Sequence, residues 1–140
     1  EVCDNVLKAI DNPEYGFILV NFANPDMVGH TGVMEAAIKA CEAVDECVGK
    51  IAQNALDNDV TMIITADHGN AEWMFNKETN SPQTAHTTNV VPFIIVSKDA
   101  YELNKDGALC DIAPSILDLL EIAKPQEMTG KSMIKAMARK

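Results

Sequence analysis

Three short runs of apolar residues constrain the fold of this chain more than any other feature of its sequence. They are Phe17–Val20, Val60–Thr65 and Val91–Val96. Each has the length of a strand, and none alternates with polar residues, which is typical of strands buried on both faces. Segments with the apolar spacing of helices lie between and around these runs. Strands that alternate with helices in this way predict an α/β sheet covered on both faces.

The predicted helices are marked by apolar spacing and by capping residues. Val2–Ile10 has apolar residues every three or four positions and predicts a short opening helix. Val33–Leu56 repeats that spacing over many turns and predicts a long amphipathic helix that Asn58 closes. Asp111 is predicted to be the N-cap of a further helix that runs through Leu120.

The remaining segments give weaker predictions. Asn70–Asn89 has little periodicity, and a loop of that length is usually functional or mobile. A last amphipathic segment, Ser132–Met137, ends the pattern. Basic residues cluster in and around it, and we interpret them as the solvated face of a helix. The cluster consists of Lys131, Lys135, Arg139 and Lys140. Cys41 and Cys47 are interpreted as core thiols. The methionines whose spacing fits the core are Met34, Met62, Met133 and Met137.

The composition narrows the classes of function. A chain of 140 residues fits a single domain, residues 1–140. The longest apolar stretches are far shorter than the roughly 18 residues that span a bilayer. A net charge of −10 with scattered basic residues disfavours nucleic acid as a partner. Four cysteines without CxxC spacing predict free thiols in a reducing compartment, which indicates the cytoplasm. Because the chain begins with Glu1 and no secretory signal follows, we expect it to be a piece of a longer protein.

Five side chains that can bind metal ions lie in loops beside the predicted strands. Asp26 and His30 are four residues apart, a spacing that one helical turn brings to the same side. Asp67 and His68 are adjacent at the end of a predicted strand, where the following glycine would let the chain turn. His86 is the remaining histidine and lies in the long loop before the next strand.

This set of side chains favours a site for transition-metal ions. Two carboxylates and three imidazoles suit Mn²⁺, Zn²⁺ or Fe better than the all-oxygen sites of Ca²⁺ and Mg²⁺. Each motif alone is more often an ordinary turn, but their coincidence in strand-flanking loops favours metal binding. Five ligands exceed the needs of one catalytic ion, whereas two ions would need more. The sequence therefore predicts an incomplete two-metal site, and no serine has the strand-to-helix setting of a hydrolase nucleophile.

Six motifs become informative when they are taken together. They are Asn24–Gly32, Thr65–Glu72, Ala85–Asn89, Val91–Ile94, Asp111–Pro114 and Met128–Ser132. The set resembles the carboxy-terminal part of the cofactor-independent phosphoglycerate mutases, a family of the alkaline phosphatase superfamily. The resemblance covers almost the whole chain, and Asn-Ala-Glu after Asp-His-Gly is more typical of these mutases than of phosphopentomutases or sulfatases.

The resemblance implies a fold, a metal site and a reaction. The fold is an alkaline-phosphatase-like three-layer α/β/α sandwich, and residues 1–140 would form the carboxy-terminal part of its metal-binding phosphatase domain. Two divalent ions, Mn²⁺ in this family, would be bound, one by Asp26, His30 and His86 and the other by Asp67 and His68. The nucleophilic serine, a further aspartate and the substrate-binding transferase domain would lie outside this segment.

In an intact member of the family, the serine takes the phosphoryl group from 3-phosphoglycerate and returns it to the 2-hydroxyl. The resemblance thus implies a cytoplasmic, monomeric enzyme of glycolysis and gluconeogenesis whose partner is a small phosphoglycerate. Because the nucleophile and the substrate-binding domain are missing, we expect the 140-residue chain to be inactive by itself.

Two other functions stay open at this point. Another enzyme of the superfamily, such as a metal-dependent phosphatase or phosphopentomutase, would share the metal ligands and differ in the missing substrate domain. Alternatively, the segment is a metal-binding or structural module without catalysis. A metal-dependent rise in melting temperature without turnover would favour the module.

Overall fold

The computed structural model describes residues 1–138, which form two compact units. The first unit spans Glu1–Ser97, and the second begins at Lys98. The helices are α1 (Val2–Ile10), α2 (Asn24–Gly29), α3 (Met34–Asp57) and α4 (Ile112–Leu119). The strands are β1 (Met62–Thr65), β2 (Phe75–Asn76), β3 (Ser81–Pro82), β4 (Phe93–Val96), β5 (Ala100–Leu103) and β6 (Ile134–Ala138). Among the described residues, no helix is long and apolar enough to cross a membrane.

The core of the first unit lies between α1 and α3. Cys3 and Val6 of α1 are buried against Ile51 of α3. The partly buried residues around them are Leu7, Ile10, Val20, Phe22, Cys47 and Met62. Both helices were predicted from their apolar spacing, and both predictions are confirmed. The predicted end of the long helix is also confirmed, because Asn58 occupies the C-cap position of α3.

The two longer strands of the first unit pair antiparallel. Met62 lies opposite Val96, and Thr65 lies opposite Phe93. These strands confirm the predictions over Val60–Thr65 and Val91–Val96 with shorter bounds. Because the pair is antiparallel, the chain that leaves β1 and the chain that enters β4 meet at the same end of the sheet.

The strand predicted for Phe17–Val20 is wrong, because this segment is not a strand in the structure. Ile18 and Val20 are half-buried, but Phe17 is 55% and Leu19 is 84% exposed. Only one side of the segment packs, and within residues 1–138 no strand pairs with it. Apolar composition alone does not make a strand where a hydrogen-bonded neighbour is missing.

The predicted loop at Asn70–Asn89 contains a small hairpin. In it β2 pairs antiparallel with β3, with Phe75 opposite Pro82. Strands of two residues are too short to leave a periodic pattern in the sequence, so the hairpin was not predicted.

The second unit combines α4 with the antiparallel pair of β5 and β6. Leu103 lies opposite Ile134, so the amphipathic segment Ser132–Met137, interpreted as a helix, forms a strand instead. Helical spacing over six residues is weak evidence, and the pairing with β5 decides the conformation. Lys135 forms an ion pair with Glu102 of β5, whereas Arg139 and Lys140 of the basic cluster lie outside the described residues.

The start of α4 was predicted correctly in position but not in its contacts. Asp111 is the N-cap residue, yet its carboxylate does not cap its own helix. Instead, Oδ2 accepts the backbone N–H of Ala108 at 2.8 Å and Oδ1 accepts that of Lys131 at 2.7 Å. These bonds lower the pKa of Asp111. The fully buried Ser115 hydroxyl accepts the N–H of Met133 at 2.8 Å and thereby attaches α4 to the chain before β6.

The predicted core is partly corrected by the exposure of individual side chains. Cys47 is half-buried, as predicted, but Cys41 is exposed because it lies on the solvent side of α3. Met34, at the start of the same helix, is exposed too. Met62 is half-buried and Met133 is buried, as predicted. The side chain of Met137 lies outside what the structure describes. Met74 is buried too, although the sequence analysis did not assign it to the core.

Candidate metal centre

Helix α2 brings the first two candidate ligands together. Pro25 lies in its first turn, where the missing backbone N–H does no harm, and the helix ends at Gly29 with His30 as the C-cap residue. The backbone N–H of His30 donates to the carbonyl of Asp26 at 3.1 Å. One helical turn therefore places Asp26 Oδ1 3.3 Å from His30 Nε2, which confirms that the four-residue spacing puts both side chains on one side.

The antiparallel pairing of β1 and β4 brings His86 to His68. Beyond the end of the sheet, the N–H of Thr87 donates to the carbonyl of Gly69 at 2.8 Å, and these two residues form an isolated bridge. The rings of His68 and His86 stack with centroids 3.7 Å apart and planes 19° apart. Two segments that are distant in sequence thus meet at one edge.

Three of the candidate atoms form a small triangle. His86 Nε2 lies 3.0 Å from Asp26 Oδ1 and 3.0 Å from His30 Nε2. Although two imidazole nitrogens are this close, the buried Oδ1 of Asp26 receives no aligned hydrogen bond. The two ring nitrogens lie within hydrogen-bonding distance of each other, so Asp26 Oδ1 is the atom of the triangle that is left without a hydrogen-bond partner. Bonds of about 2.1 Å at right angles place two ligand atoms about 3.0 Å apart, so the triangle has the size that a transition-metal ion needs.

The carbonyl of Thr84 sets the orientation of His30. His30 Nδ1 lies 2.6 Å from this oxygen, which can only accept a hydrogen bond. Nδ1 therefore carries the proton in the neutral ring, and Nε2 presents its lone pair to the triangle. Metal-binding histidines characteristically have such a partner on the opposite ring nitrogen. A backbone carbonyl leaves no signal in the sequence, so this contact could not be predicted.

The two residues after β1 differ in how they join this cluster. His68 can offer a ring nitrogen within 4.8 Å of ligand atoms of Asp26 and His86. The side chain of Asp67 is 78% exposed, and its Oδ1 lies 3.6 Å from Nε2 of its own neighbour, His68. The structure thus gathers four of the five predicted residues and leaves Asp67 at the edge.

Glu72, which the sequence analysis gave no role, connects the two sides of the cluster. Its Oε1 accepts the hydroxyl of Thr87 and, at 2.9 Å, the side-chain amide of Asn89. The donation from Thr87 is the main cause of the lowered pKa of Glu72. Gly69 is needed here for space rather than for an unusual turn, since a Cβ on it would lie 2.2 Å from Thr87 Oγ1.

Asn70 is a second neighbour that the sequence did not indicate. It is 7% exposed, and its side-chain amide lies against the backbone of Gly29, so that a Cβ on Gly29 would lie 1.9 Å from Asn70 Oδ1. The turn after β1 therefore packs directly on the end of α2, next to His30.

Comparison with protein families identifies the superfamily to which the chain belongs. The model of the metalloenzyme superfamily matches residues 1–124. The chain therefore belongs to this superfamily, and an acidic and histidine-rich cluster at its sheet edge agrees with a metal-binding role.

More specific relatives are the 2,3-bisphosphoglycerate-independent phosphoglycerate mutases. The chain is 58% identical to that of Clostridium botulinum (strain ATCC 19397 / Type A) over 135 residues, and 53% identical to that of Acetivibrio thermocellus over 134 residues. In each comparison the match covers 96% of this chain and 26% of the relative, so the chain spans about a quarter of their length.

A solved structure is similar as well. The phosphoglycerate mutase of Leishmania mexicana, crystallised at low cobalt concentration, superimposes with a TM-score of 0.86 at 28% identity. The match covers 96% of this chain and 28% of that one. The predicted α/β fold is thereby confirmed as that of an alkaline-phosphatase-like phosphoglycerate mutase.

Proposed function

We propose that this chain is the carboxy-terminal, metal-binding part of a cofactor-independent phosphoglycerate mutase, which interconverts 3-phosphoglycerate and 2-phosphoglycerate through a phosphoserine. The observation that carries the proposal is the triangle of Asp26 Oδ1, His30 Nε2 and His86 Nε2, whose buried oxygen has no aligned hydrogen bond. The reaction itself is proposed from the names of the similar proteins.

The five predicted residues divide between two divalent ions, which we propose to be Mn²⁺. Asp26, His30 and His86 would hold one ion, and Asp67 and His68 would contribute to the second. Bound ions of this kind neutralise charge on a transferring phosphoryl group and activate an attacking hydroxyl. The chain's own residues prepare the site: the Thr84 carbonyl accepts the Nδ1 proton of the neutral His30 ring, which leaves Nε2 as the ligand atom, and Asp26 supplies a buried oxygen without a hydrogen-bond partner.

Residues 1–140 are proposed to be part of the phosphatase domain, with the nucleophilic serine and the transferase domain supplied by other parts of the protein. The absence of a serine in a nucleophile setting and the single arginine in the sequence support this division. The whole enzyme is proposed to be a cytoplasmic, glycolytic monomer that acts on a small phosphoglycerate. Its net charge of −10 over this segment supports the proposal that nucleic acid is not a partner.

The test compares one proposed ligand with a matched aspartate on the surface of α3. Asp26→Ala in the full-length protein should weaken Mn²⁺ binding at least tenfold, measured by calorimetric titration, and abolish interconversion of the two phosphoglycerates. Asp45→Ala removes the same carboxylate group from an exposed position of α3. It should leave the Mn²⁺ affinity and the turnover unchanged. Normal turnover of Asp26→Ala, or turnover that survives complete metal removal, would contradict the proposal. Metal binding without turnover in the unsubstituted full-length protein would favour a non-catalytic module.

A further inference from the structure

The side chains of Glu72, Thr87 and Asn89, here called the Glu72 clamp, form a polar network beside the candidate metal centre. Glu72 Oε1 accepts two hydrogen bonds, one from the Thr87 hydroxyl and one from the Asn89 amide at 2.9 Å. With both donors on the same carboxylate oxygen, this oxygen is engaged with the protein. Through this one oxygen, Glu72 holds two residues of the chain that enters β4.

The clamp joins the chain that leaves β1 to the chain that enters β4. Glu72 lies four residues after His68, and Thr87 immediately follows His86. Besides the carboxylate contact, the N–H of Thr87 donates to the Gly69 carbonyl at 2.8 Å. Gly69 lies next to both side chains, and because it has no side chain of its own it leaves room for Thr87 Oγ1 and Glu72 Oε1. The backbone bond and the carboxylate thus fix Thr87 from two directions.

The orientation of His86 depends on this segment. Its ring lies on His68, and its Nε2 lies 3.0 Å from both Asp26 Oδ1 and His30 Nε2. The His86 side chain is half exposed, so tight packing does not enclose it. The neighbouring Thr87 is the point at which its backbone is held.

We propose that Glu72 is a positioning residue that, through Thr87, holds His86 stacked on His68 with its Nε2 at the metal centre. This inference rests on the proposed function for its consequence, which is tighter metal binding. The stacking itself involves only side chains of this chain, so it can be measured independently of metal binding. The acceptor oxygen of Glu72, rather than its negative charge, is the feature that the geometry requires.

The first measurement uses the 140-residue chain without metal. The ring protons of the three histidines are observed by NMR and assigned with single His→Ala variants, and His86→Ala defines the shift of an unstacked His68. In Glu72→Ala and in Thr87→Val, the His68 ring protons should move towards that unstacked shift. Thr87→Val preserves shape and removes only the hydroxyl, so it serves if Glu72→Ala fails to fold. Unmoved His68 shifts in both folded variants would overturn the proposal.

The second measurement is Mn²⁺ affinity by calorimetry on the same variants, at a temperature where thermal melts show all of them to be folded. Glu72→Ala and Thr87→Val should bind Mn²⁺ about tenfold to 100-fold more weakly, the usual effect of removing a partner behind a ligand. Glu72→Gln retains an acceptor oxygen and should stay within about threefold of the original chain. Glu78→Ala, an exposed glutamate of the same loop, should change nothing.

The outcomes separate this inference from the proposed function. A lower melting temperature of Glu72→Ala with unchanged Mn²⁺ affinity would make the clamp merely structural and overturn the inference. If Glu72→Gln binds Mn²⁺ as weakly as Glu72→Ala does, the negative charge of Glu72 is responsible rather than its hydrogen bonds. This result would also overturn the inference. If the full-length protein binds no Mn²⁺ while the His68 shifts of the 140-residue chain behave as expected, the positioning stands and the proposed function fails.

Discussion

The contact between Gly29 and Asn70 predicts that one substitution has opposite effects at two glycines. Gly29 ends α2, and a Cβ there would lie 1.9 Å from Asn70 Oδ1 and 2.9 Å from Asn70 Cγ. Gly49 lies within α3, is exposed, and a Cβ there would meet nothing within 4 Å. Gly29→Ala should therefore destabilise the chain, whereas Gly49→Ala should stabilise it.

The magnitudes follow from sterics and helix propensity. Alanine in the middle of a helix is favoured over glycine by about 0.5–1 kcal/mol, which is the gain expected for Gly49→Ala. At Gly29 the added methyl group must displace a side chain that is only 7% exposed. Overpacking of this kind costs about 1–3 kcal/mol, of which the helical preference offsets a part, so a net loss of about 1–2 kcal/mol is expected.

Urea unfolding of the metal-free chain, followed by circular dichroism, gives both free energies of unfolding. A double-mutant cycle with Asn70→Ala then tests the cause, because the loss from Gly29→Ala should largely vanish when the amide is gone. Two results would refute the reasoning. One is that Gly29→Ala is as stable as Gly49→Ala, and the other is that its loss persists unchanged in the Asn70→Ala background.

Three further predictions concern the site and the second unit. The purified chain in excess Mn²⁺ should not interconvert the phosphoglycerates, since no serine has a nucleophile setting; turnover that His30→Ala abolishes would contradict this. His30→Ala should weaken the tightest Mn²⁺ binding step more than Asp67→Ala, because Asp67 is 78% exposed and lies outside the triangle; equal losses in calorimetry would refute the assignment. The lowered pKa of Asp111, caused mainly by the N–H groups of Lys131 and Ala108, means that its contribution to stability is complete above the ordinary aspartate pKa of about 3.9 and is lost as the pH falls through the lower folded value. Asp111→Asn should thus reduce the acid sensitivity of the free energy of unfolding below about pH 4, measured by urea titrations from pH 7 to pH 3; an unaltered pH dependence would speak against the contact.

The parts of the fold that could be predicted are those determined by local sequence. The opening helix and the long helix α3 were found at nearly their observed bounds because each buries one face and shows it in its spacing. Phe17–Val20 and Ser132–Met137 were misassigned because the conformation of a short segment depends on a partner strand. The first segment lacks such a partner within residues 1–138, and the second has one in β5.

The same distinction applies to the candidate site. The contact of Asp26 with His30 lies within one helical turn and could be inferred from spacing. That of His30 with His86 joins residues 56 positions apart, and the local spacing carries no information about it. The roles of Thr84 and Glu72 were missed for a related reason. One acts through a backbone carbonyl, and the other through a hydrogen bond that exists only after β1 and β4 have paired.

The pairing of β1 with β4 therefore connects folding with the site. Thr65 lies opposite Phe93, so the register fixes where the chain beyond each strand can meet its counterpart. A shift of one residue would turn every side chain of β4 to the other face and move the bridge between Gly69 and Thr87. His86 would then lose its position against Asp26. The helix supplies one pair of candidate ligand atoms by local geometry, and the strand register supplies the third, so the triangle can form only in the correctly paired chain.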